Sequence, residues 1–252
     1  MGRTSQSSPI KRLMHGVPRG TPLDLADLAE HGVDAKAASF YARNGWLIRV
    51  GHGVYSLPGE EVSSLSAARL LQRQVGGLHV GGKSALSMHG VRHNVAVRET
   101  LVLWADERFS LPKWFATRFP SRAVFAKLFD RLEPDLARKT LSTPPGVLEG
   151  VSASTPERAS LEMLYEVGTH ESLEEARRVF EGLHNLRTEI VGRLLAACTS
   201  VKAVRLFLTW SRETGGVDVD ALRERFDLRV GSSSRWVGRL PDGTLLFLKP
   251  YG

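Results

Sequence analysis

The chain has 252 residues, of which 42% are hydrophobic, and a formal net charge of +7 at pH 7. This length and apolar content favour a globular protein with more than one domain and exclude a disordered chain. No apolar run approaches the ~20 residues that a membrane-spanning helix needs, and residues 1–8 lack the apolar segment of a signal peptide. We therefore expect a cytoplasmic protein with no membrane partner, in which the single Cys198 is a buried apolar residue.

The positive charge is concentrated in the first half of the chain. Residues 1–59 contain 7 Lys+Arg and 4 Asp+Glu, residues 60–130 contain 10 and 6, and residues 131–252 contain 17 of each. A basic amino-terminal half favours contact with nucleic acid. The neutral carboxyl-terminal half indicates a second, different role.

The first predicted helices lie before residue 32. Residues 9–15 predict a short helix, and Thr21 predicts the N-cap of the next, with Pro22 in its first position and Asp24 as the capping-box acid. This second helix is expected to continue to about residue 31. Arg19 precedes it, where it could contact a phosphate or remain a solvated loop residue.

A third helix is predicted from Asp34, its N-cap, to Arg43, because Asn44 and Gly45 form a typical C-terminal signal. The helical repeat of 3.6 residues gives it two faces. One face is expected to pack against the core through Val33, Ala37, Ala38 and Tyr41. The other presents Lys36, Ser39 and Arg43.

Residues 46–50 and 54–57 predict two strands of a hairpin, since Gly51 and Gly53 suit the tight turn around His52. Two helices, a tight turn and a hairpin predict a winged helix-turn-helix, whose second helix enters the DNA major groove. The candidate DNA-contacting residues are Arg19, Thr21, Lys36, Ser39, Arg43, Arg49 and His52.

The same stretch resembles the N-terminal domain of the AbiEi family of antitoxins from type IV toxin–antitoxin systems. The shared pattern consists of Gly32, Gly45, Leu47, Arg49, Val50, Gly51, Gly53, Val54 and Tyr55. Weaker similarity continues at residues 84–90, 155–159 and 205–250. The resemblance implies an autorepressor that binds operator DNA and counteracts a nucleotidyltransferase toxin.

The remainder predicts an α+β fold, in which the winged domain (residues 1–60) precedes a larger mixed α/β domain (residues 61–252) with a helical carboxyl half. Helices are predicted at 63–75 and 84–89, and strands at 78–80, 100–104 and 123–125, with an aromatic loop at 112–120 and weak patterning over 134–150. Helices are then predicted from residues 155, 172, 190, 201 and 218 or 220. Residues 235–240 and 244–249 predict a final hairpin turned at Pro241-Asp242-Gly243.

The sequence also contains features of two other kinds of site. Residues 77–84, GLHVGGKS, match the P-loop pattern of a nucleotide-binding enzyme, but residues 78–80 favour a strand inside that loop. His79, His89 and His93 are close in sequence but lack the Cys/His spacing of a zinc site. We therefore expect no metal, no cofactor and no catalytic residues. The aromatic residues Trp104, Trp114, Phe115 and Phe119 could stack on bases but are more typical of a core.

Three functions are consistent with the sequence. The first is a DNA-binding antitoxin and autorepressor. The second is a stand-alone winged-helix transcription factor whose neutral half dimerises or senses a ligand. The third is a P-loop enzyme. The sequence does not determine the oligomeric state.

Overall fold

A computed structural model of the chain describes residues 8–93, 99–130, 132–232, 234–239, 243 and 245–248. It is a mixed α/β protein, in agreement with the predicted class. The helices and strands follow one another as α1 (Pro9–Gly16), α2 (Leu25–Glu30), α3 (Ala35–Arg43), β1 (Ile48–Gly51), β2 (Val54–Ser56), α4 (Ser64–Gln74), β3 (His79–Val80), α5 (Gly82–Met88), β4 (Leu101–Ala105), α6 (Lys113–Arg118), β5 (Ser121–Phe125), α7 (Pro134–Lys139), β6 (Leu141–Ser142), β7 (Ala153–Ser154), α8 (Pro156–Glu166), α9 (Leu173–Glu181), α10 (Thr188–Ala197), α11 (Val201–Thr214), α12 (Val219–Arg225), β8 (Trp236–Arg239) and β9 (Leu245–Leu248).

The chain forms two compact units. Unit 1 comprises Met1–Gly76 and Ser110–Pro120, and unit 2 comprises Gly77–Phe109 and Ser121–Gly252. In unit 1, helices α1 to α3 and the antiparallel hairpin β1–β2 enclose an apolar core. Its buried members are Leu13, Leu23, Leu28, Val33, Ala38, Leu47, Tyr55 and Leu57.

Helix α2 begins three residues later than the sequence predicted. Its N-cap is Asp24, whose carboxylate accepts hydrogen bonds from the N–H groups of Ala26 and Asp27, and Asp27 completes the capping box. The prediction of Thr21 as the N-cap was wrong. The reason is that Leu23 is extended and exchanges two backbone hydrogen bonds of 2.8 Å with Tyr55 on β2.

The units of the structure differ from the predicted division at residue 60. Helix α4 belongs to unit 1, where the guanidinium of Arg73 donates to both carboxylate oxygens of Asp27, at 2.7 and 2.6 Å. Ser66 Oγ also donates to the carbonyl of Gly20 at 3.0 Å. The predicted aromatic loop at 112–120 is wrong, because it contains α6, which packs on β1 in unit 1.

Unit 2 is built on a five-stranded mixed sheet with the order β5-β4-β3-β7-β6. The pairs β4–β5 and β3–β7 are parallel, whereas β3–β4 and β6–β7 are antiparallel. The weakly patterned stretch 134–150 contains α7 and β6, which the sequence did not predict. Helices α8 to α12 form at the predicted places.

The centre of unit 2 contains a buried charged cluster around Glu162 on α8. Its carboxylate accepts hydrogen bonds from Arg158 Nε at 2.8 Å, from Ser154 Oγ at 2.8 and 2.9 Å and from the N–H of Gly82 at 2.9 Å, and lies 3.0 Å from His79 Nε2. Glu162 is fully buried. The cluster therefore joins α5, α8, β3 and β7 through one side chain.

The last described element is the antiparallel hairpin β8–β9. The segment before it is held by the buried guanidinium of Arg205, which donates to the carbonyls of Val230, Ser232 and Ser234. Residues 241 and 242 of the predicted turn lie outside the described residues, whereas Gly243 has a φ of +85°.

Candidate nucleic-acid interface

Helix α3 presents its polar face to solvent, as predicted. Lys36 and Arg43 are exposed, and Ser39 is half-buried between them. The helix begins at Asp34, whose carboxylate accepts from the N–H of Ala37 at 2.7 Å, and Asn44 forms its C-cap.

This orientation follows from the apolar side of the helix. Ala38 is buried in the core of unit 1, and Ala37, Tyr41 and Ala42 pack against the same core. Because residues three and four apart lie on one side of a helix, this packing turns positions 36, 39 and 43 outward. The core therefore fixes which side chains a ligand can reach.

The hairpin contributes two more of the predicted residues. Arg49 on β1 is exposed, and its guanidinium carbon lies 5.9 Å from the centre of the Tyr55 ring across the hairpin. His52 is exposed in the turn, where Gly53 has a φ of +68°. Both side chains are free to contact a partner of the hairpin.

Arg19 and Thr21 do not occupy the predicted positions at the start of α2. Arg19 lies five residues before the N-cap Asp24, and its guanidinium donates to the carbonyl of Pro58, which follows β2. Thr21 lies in the extended segment before the pairing of Leu23 with the hairpin. Arg19 therefore holds the end of the hairpin within unit 1.

Sequence reasoning missed Phe40. Its side chain is 54% exposed, although phenylalanine is usually buried. It follows Lys36 by four residues and precedes Arg43 by three, so it lies on the same outward face. That spacing was the signal in the sequence that could have identified it.

The segment that matches the P-loop pattern has a different structure. Strand β3 lies inside the would-be loop at His79–Val80, and the N–H of Gly82 donates to the Glu162 carboxylate. Lys83 Nζ lies 2.5 Å from Glu175 and 3.8 Å from Glu171. The amide and the lysine that would bind phosphate in a P-loop are occupied by carboxylates of the chain itself, so the P-loop interpretation is wrong.

A cleft of about 570 Å³ in unit 2 is lined mainly by polar and charged residue types. Two of its cations are paired: Lys83 with Glu171 and Glu175, and Arg122 with Glu166 and with Glu171 at 3.6 Å. Arg92 is a third cation in the lining. Burial raises the pKa of Glu171, although Lys83 and Arg122 act in the opposite direction. The carboxylates of Glu171 and Glu175 thus neutralise Lys83 and Arg122 in this cleft.

The three histidines have separate partners. His79 contacts Glu162, His89 Nε2 lies 3.1 Å from the carbonyl of Ser154, and His93 lies 3.0 Å from Arg178. Within the described residues, no group of three or more His, Cys, Asp or Glu side chains is placed to hold a metal ion. Trp104, Phe115 and Phe119 are buried, as expected of a core, whereas Trp114 is half-buried.

Two family models match consecutive parts of the chain. One, described as "Transcriptional regulator, AbiEi antitoxin N-terminal domain", matches residues 6–97, and the other, described as "Transcriptional regulator, AbiEi antitoxin, Type IV TA system", matches residues 98–246. The chain belongs to the AbiEi family. The resemblance inferred from the sequence is thus confirmed, and the family consists of antitoxins and transcriptional regulators of type IV toxin–antitoxin systems.

Solved structures include one that is similar to this AbiEi-family chain over nearly its full length. The RV2827C protein from Mycobacterium tuberculosis shares 18% sequence identity with it at a TM-score of 0.58, over 94% of this chain and 90% of that chain. At this identity the likeness demonstrates the fold alone. No curated protein matches the sequence significantly. In the part of the chain that the structure describes, every helix is too short or too polar to span a bilayer.

Proposed function

We propose that this protein is a DNA-binding autorepressor and antitoxin, in which unit 1 binds the operator of its own operon and unit 2 counteracts a nucleotidyltransferase toxin. Unit 1 would act as a winged helix-turn-helix, with α2 and α3 as the two helices and β1–β2 as the wing. The backbone pairing of Leu23 with Tyr55 supports this arrangement, because it fixes the start of α2 against the hairpin.

The observation that carries the proposal is the outward face of α3. A helix that reads DNA enters the major groove and offers cations and hydrogen-bonding groups to base edges and phosphates. Lys36 and Arg43 are exposed on that face, and neither forms an ion pair with another described residue of unit 1. Two acidic residues at the start of α2 are used elsewhere, since Asp24 caps the helix and Asp27 binds Arg73.

The direct test is binding to a duplex from the promoter region of the operon, measured by fluorescence anisotropy. Lys36→Ala and Arg43→Ala should each cost about 1–3 kcal/mol of binding free energy if they contact bases. Lys11→Ala is the matched control, because Lys11 is an exposed lysine on α1. Wild-type affinity in the folded Lys36→Ala/Arg43→Ala double variant would refute α3 as the recognition helix.

The wing should affect affinity differently from the helix. A wing residue such as Arg49 is expected to contact the phosphate backbone, and one lost phosphate contact lowers the slope of log affinity against log salt by about 1. Arg49→Ala should therefore weaken binding to all sequences alike. A change of sequence preference in this variant would instead assign Arg49 to a base.

The antitoxin role rests on family membership rather than on a contact in the structure. A cognate nucleotidyltransferase is expected to be encoded beside this gene, and co-expression should restore growth. A stand-alone transcription factor, the second function considered, would bind its operator but would not restore growth. Growth and repression assays on the same strain therefore distinguish the two functions.

A further inference from the structure

Phe40 is the one large apolar side chain on the outward face of α3 among the described residues. Its 54% exposure places an aromatic ring in solvent between two cations. The ring meets Tyr41 edge-on, with 5.9 Å between the ring centres. The Asn44 side chain donates to the carbonyl of Phe40 at 2.8 Å and fixes the backbone at this point.

We propose that Phe40 contacts the 5-methyl group of a thymine in the operator, so that α3 requires an A·T pair within its footprint. This inference rests on the proposed function, because it assumes that α3 enters the major groove. The thymine methyl is the apolar group that a base pair displays in that groove, and phenylalanine is one of the side chains that pack against it. Contact with the methyl group would bury part of the exposed Phe40 ring, and removing apolar surface from water stabilises the complex.

The spacing along α3 limits where the thymine lies. With a rise of 1.5 Å per residue, Lys36 and Arg43 are about 10 Å apart along the helix axis. This distance matches about three base steps of 3.4 Å each. Because Phe40 lies between the two cations, the thymine is expected within about two base pairs of the bases or phosphates that Lys36 and Arg43 contact.

Other exposed apolar residues of unit 1 lie outside α3. Trp46 is 50% exposed and Ile48 is 45% exposed, and both follow Asn44, the C-cap of the helix. They do not share the stripe of Lys36, Ser39, Phe40 and Arg43. Ile48 is therefore a matched control for a general effect of removing exposed apolar surface.

The test uses an operator duplex located by footprinting, in which each thymine within the α3 footprint is replaced in turn by deoxyuridine. This replacement removes the methyl group and leaves the hydrogen-bonding edge intact. At one position the wild-type protein should lose about four-fold in affinity, the effect expected for one buried methyl-sized group. Phe40→Ala should bind more weakly than wild type and should not distinguish thymine from deoxyuridine there, whereas Ile48→Ala should retain the four-fold preference.

Each outcome decides the inference. An equal thymine preference in wild type and Phe40→Ala, or no thymine preference in wild type, would overturn it while leaving operator binding intact. Absence of operator binding by the wild-type protein would refute the proposed function, and the inference with it. Phe40→Leu guards against loss of folding, since it keeps an apolar side chain and a good helix former at the site; it should retain part of the preference.

Discussion

At the scale of single residues, Glu162 has the most demanding environment of the described carboxylates. Burial alone raises the pKa of this carboxyl group, but His79 and Arg158 outweigh that effect and lower the pKa to about 2. A carboxylate that accepts this many hydrogen bonds is stable in the interior only while every partner remains in place. The cluster therefore connects α5, α8, β3 and β7 within unit 2.

Glu162→Gln should strongly destabilise unit 2. The change keeps the shape of the side chain but leaves Arg158 without its counter-charge, and breaking a buried ion pair costs about 3–5 kcal/mol. Urea denaturation measures the loss. Glu174→Gln is the control, because Glu174 is 75% exposed and forms only a surface pair with Arg178, so it should change stability by less than about 1 kcal/mol.

The same cluster predicts how stability depends on pH. The folded-state pKa of Glu162 lies below its usual value of 4.5, so its stabilising effect is complete above about pH 4.5 and is lost as the pH falls toward 2. The pKa of Glu157 is also lowered to about 2: burial alone would raise it, but the interactions of the carboxylate, including the ion pair with Arg187, outweigh burial. Glu157 therefore contributes to stability over the same pH range. Denaturation of the wild-type protein across this range should show a steep decline, and Glu162→Gln should show a shallower one. Equal slopes would contradict the assignment.

Cys198 offers a probe of unit 2. Burial raises the pKa of this thiol to about 11, two units above its usual 9.0. The thiolate fraction, and with it the rate of alkylation, should then be lower by a factor of ~100 than for a free cysteine. Because the chain has a single cysteine, mass spectrometry after iodoacetamide treatment at about pH 8 should find the native protein unmodified and the denatured protein fully labelled. Rapid labelling of the native protein would contradict the buried position.

At the scale of elements, the N-cap of α2 can be tested by mutating Asp24, the cap in the structure, and Thr21, the cap predicted from sequence. Asp24→Ala removes the hydrogen bonds to Ala26 and Asp27 and an acceptor for Gln74, and loss of an N-cap costs about 1 kcal/mol. Thr21→Ala should cost less than about 0.5 kcal/mol, since Thr21 does not cap the helix. Hydrogen exchange of the amides of residues 25–30 measures both changes. A larger effect of Thr21→Ala than of Asp24→Ala would support Thr21 as the N-cap, as the sequence predicted.

The close packing of Trp114 on α6 against Gly51 on β1 can also be tested by mutation. A Cβ atom on Gly51 would lie 2.4 Å from Cγ of Trp114, so Gly51→Ala must displace the indole, and overpacking costs about 1–3 kcal/mol. Gly76→Ala is the control, because nothing lies within 4 Å of its added Cβ. In a double-mutant cycle, Gly51→Ala should be much less harmful when Trp114→Ala is present. Additive effects would contradict this packing.

Local signals explain which elements the sequence predicted. Helix α3 and the hairpin were predictable because Asp34, Asn44 and Gly53 are caps and turn residues that act within a few positions. Thr21 was misassigned because Asp24 is an equally good cap, and only the distant pairing of Leu23 decides between them. Helix α6 was missed because its aromatic residues resemble a strand or loop, and the Glu162 cluster because it joins residues up to 83 positions apart.

At the scale of the whole molecule, unit 1 is discontinuous in sequence. The segment Ser110–Pro120 interrupts unit 2 between β4 and β5 and belongs to unit 1. The family models divide the chain between residues 97 and 98 instead, and the sequence predicted a division at 60. A cut at residue 60 would separate Asp27 from Arg73 and Gly51 from Trp114, and both contacts belong to unit 1.

The separation of activities proposed for the two units can therefore be tested with boundaries taken from the structure. Residues 77–252, with Ser110–Pro120 replaced by a six-residue Gly/Ser linker, should fold as unit 2. Strands β4 and β5 are parallel, with Leu101 opposite Ser121, so the connection must return along about four residues, or ~13 Å. Residues 106–109 and the linker together can span about 33 Å, which is sufficient.

This redesigned fragment should be soluble and helical by circular dichroism, should restore growth beside the toxin and should fail to bind the operator. Residues 61–252 without redesign retain α4 and α6 but lack the rest of unit 1, so we expect them to be less soluble. Residues 1–60 should be largely unfolded, because the hairpin loses its packing against α6 and Asp27 on α2 loses its ion pair with Arg73. If the redesigned fragment folds yet does not restore growth, antitoxin activity requires unit 1 as well, and the division of function between the units is wrong.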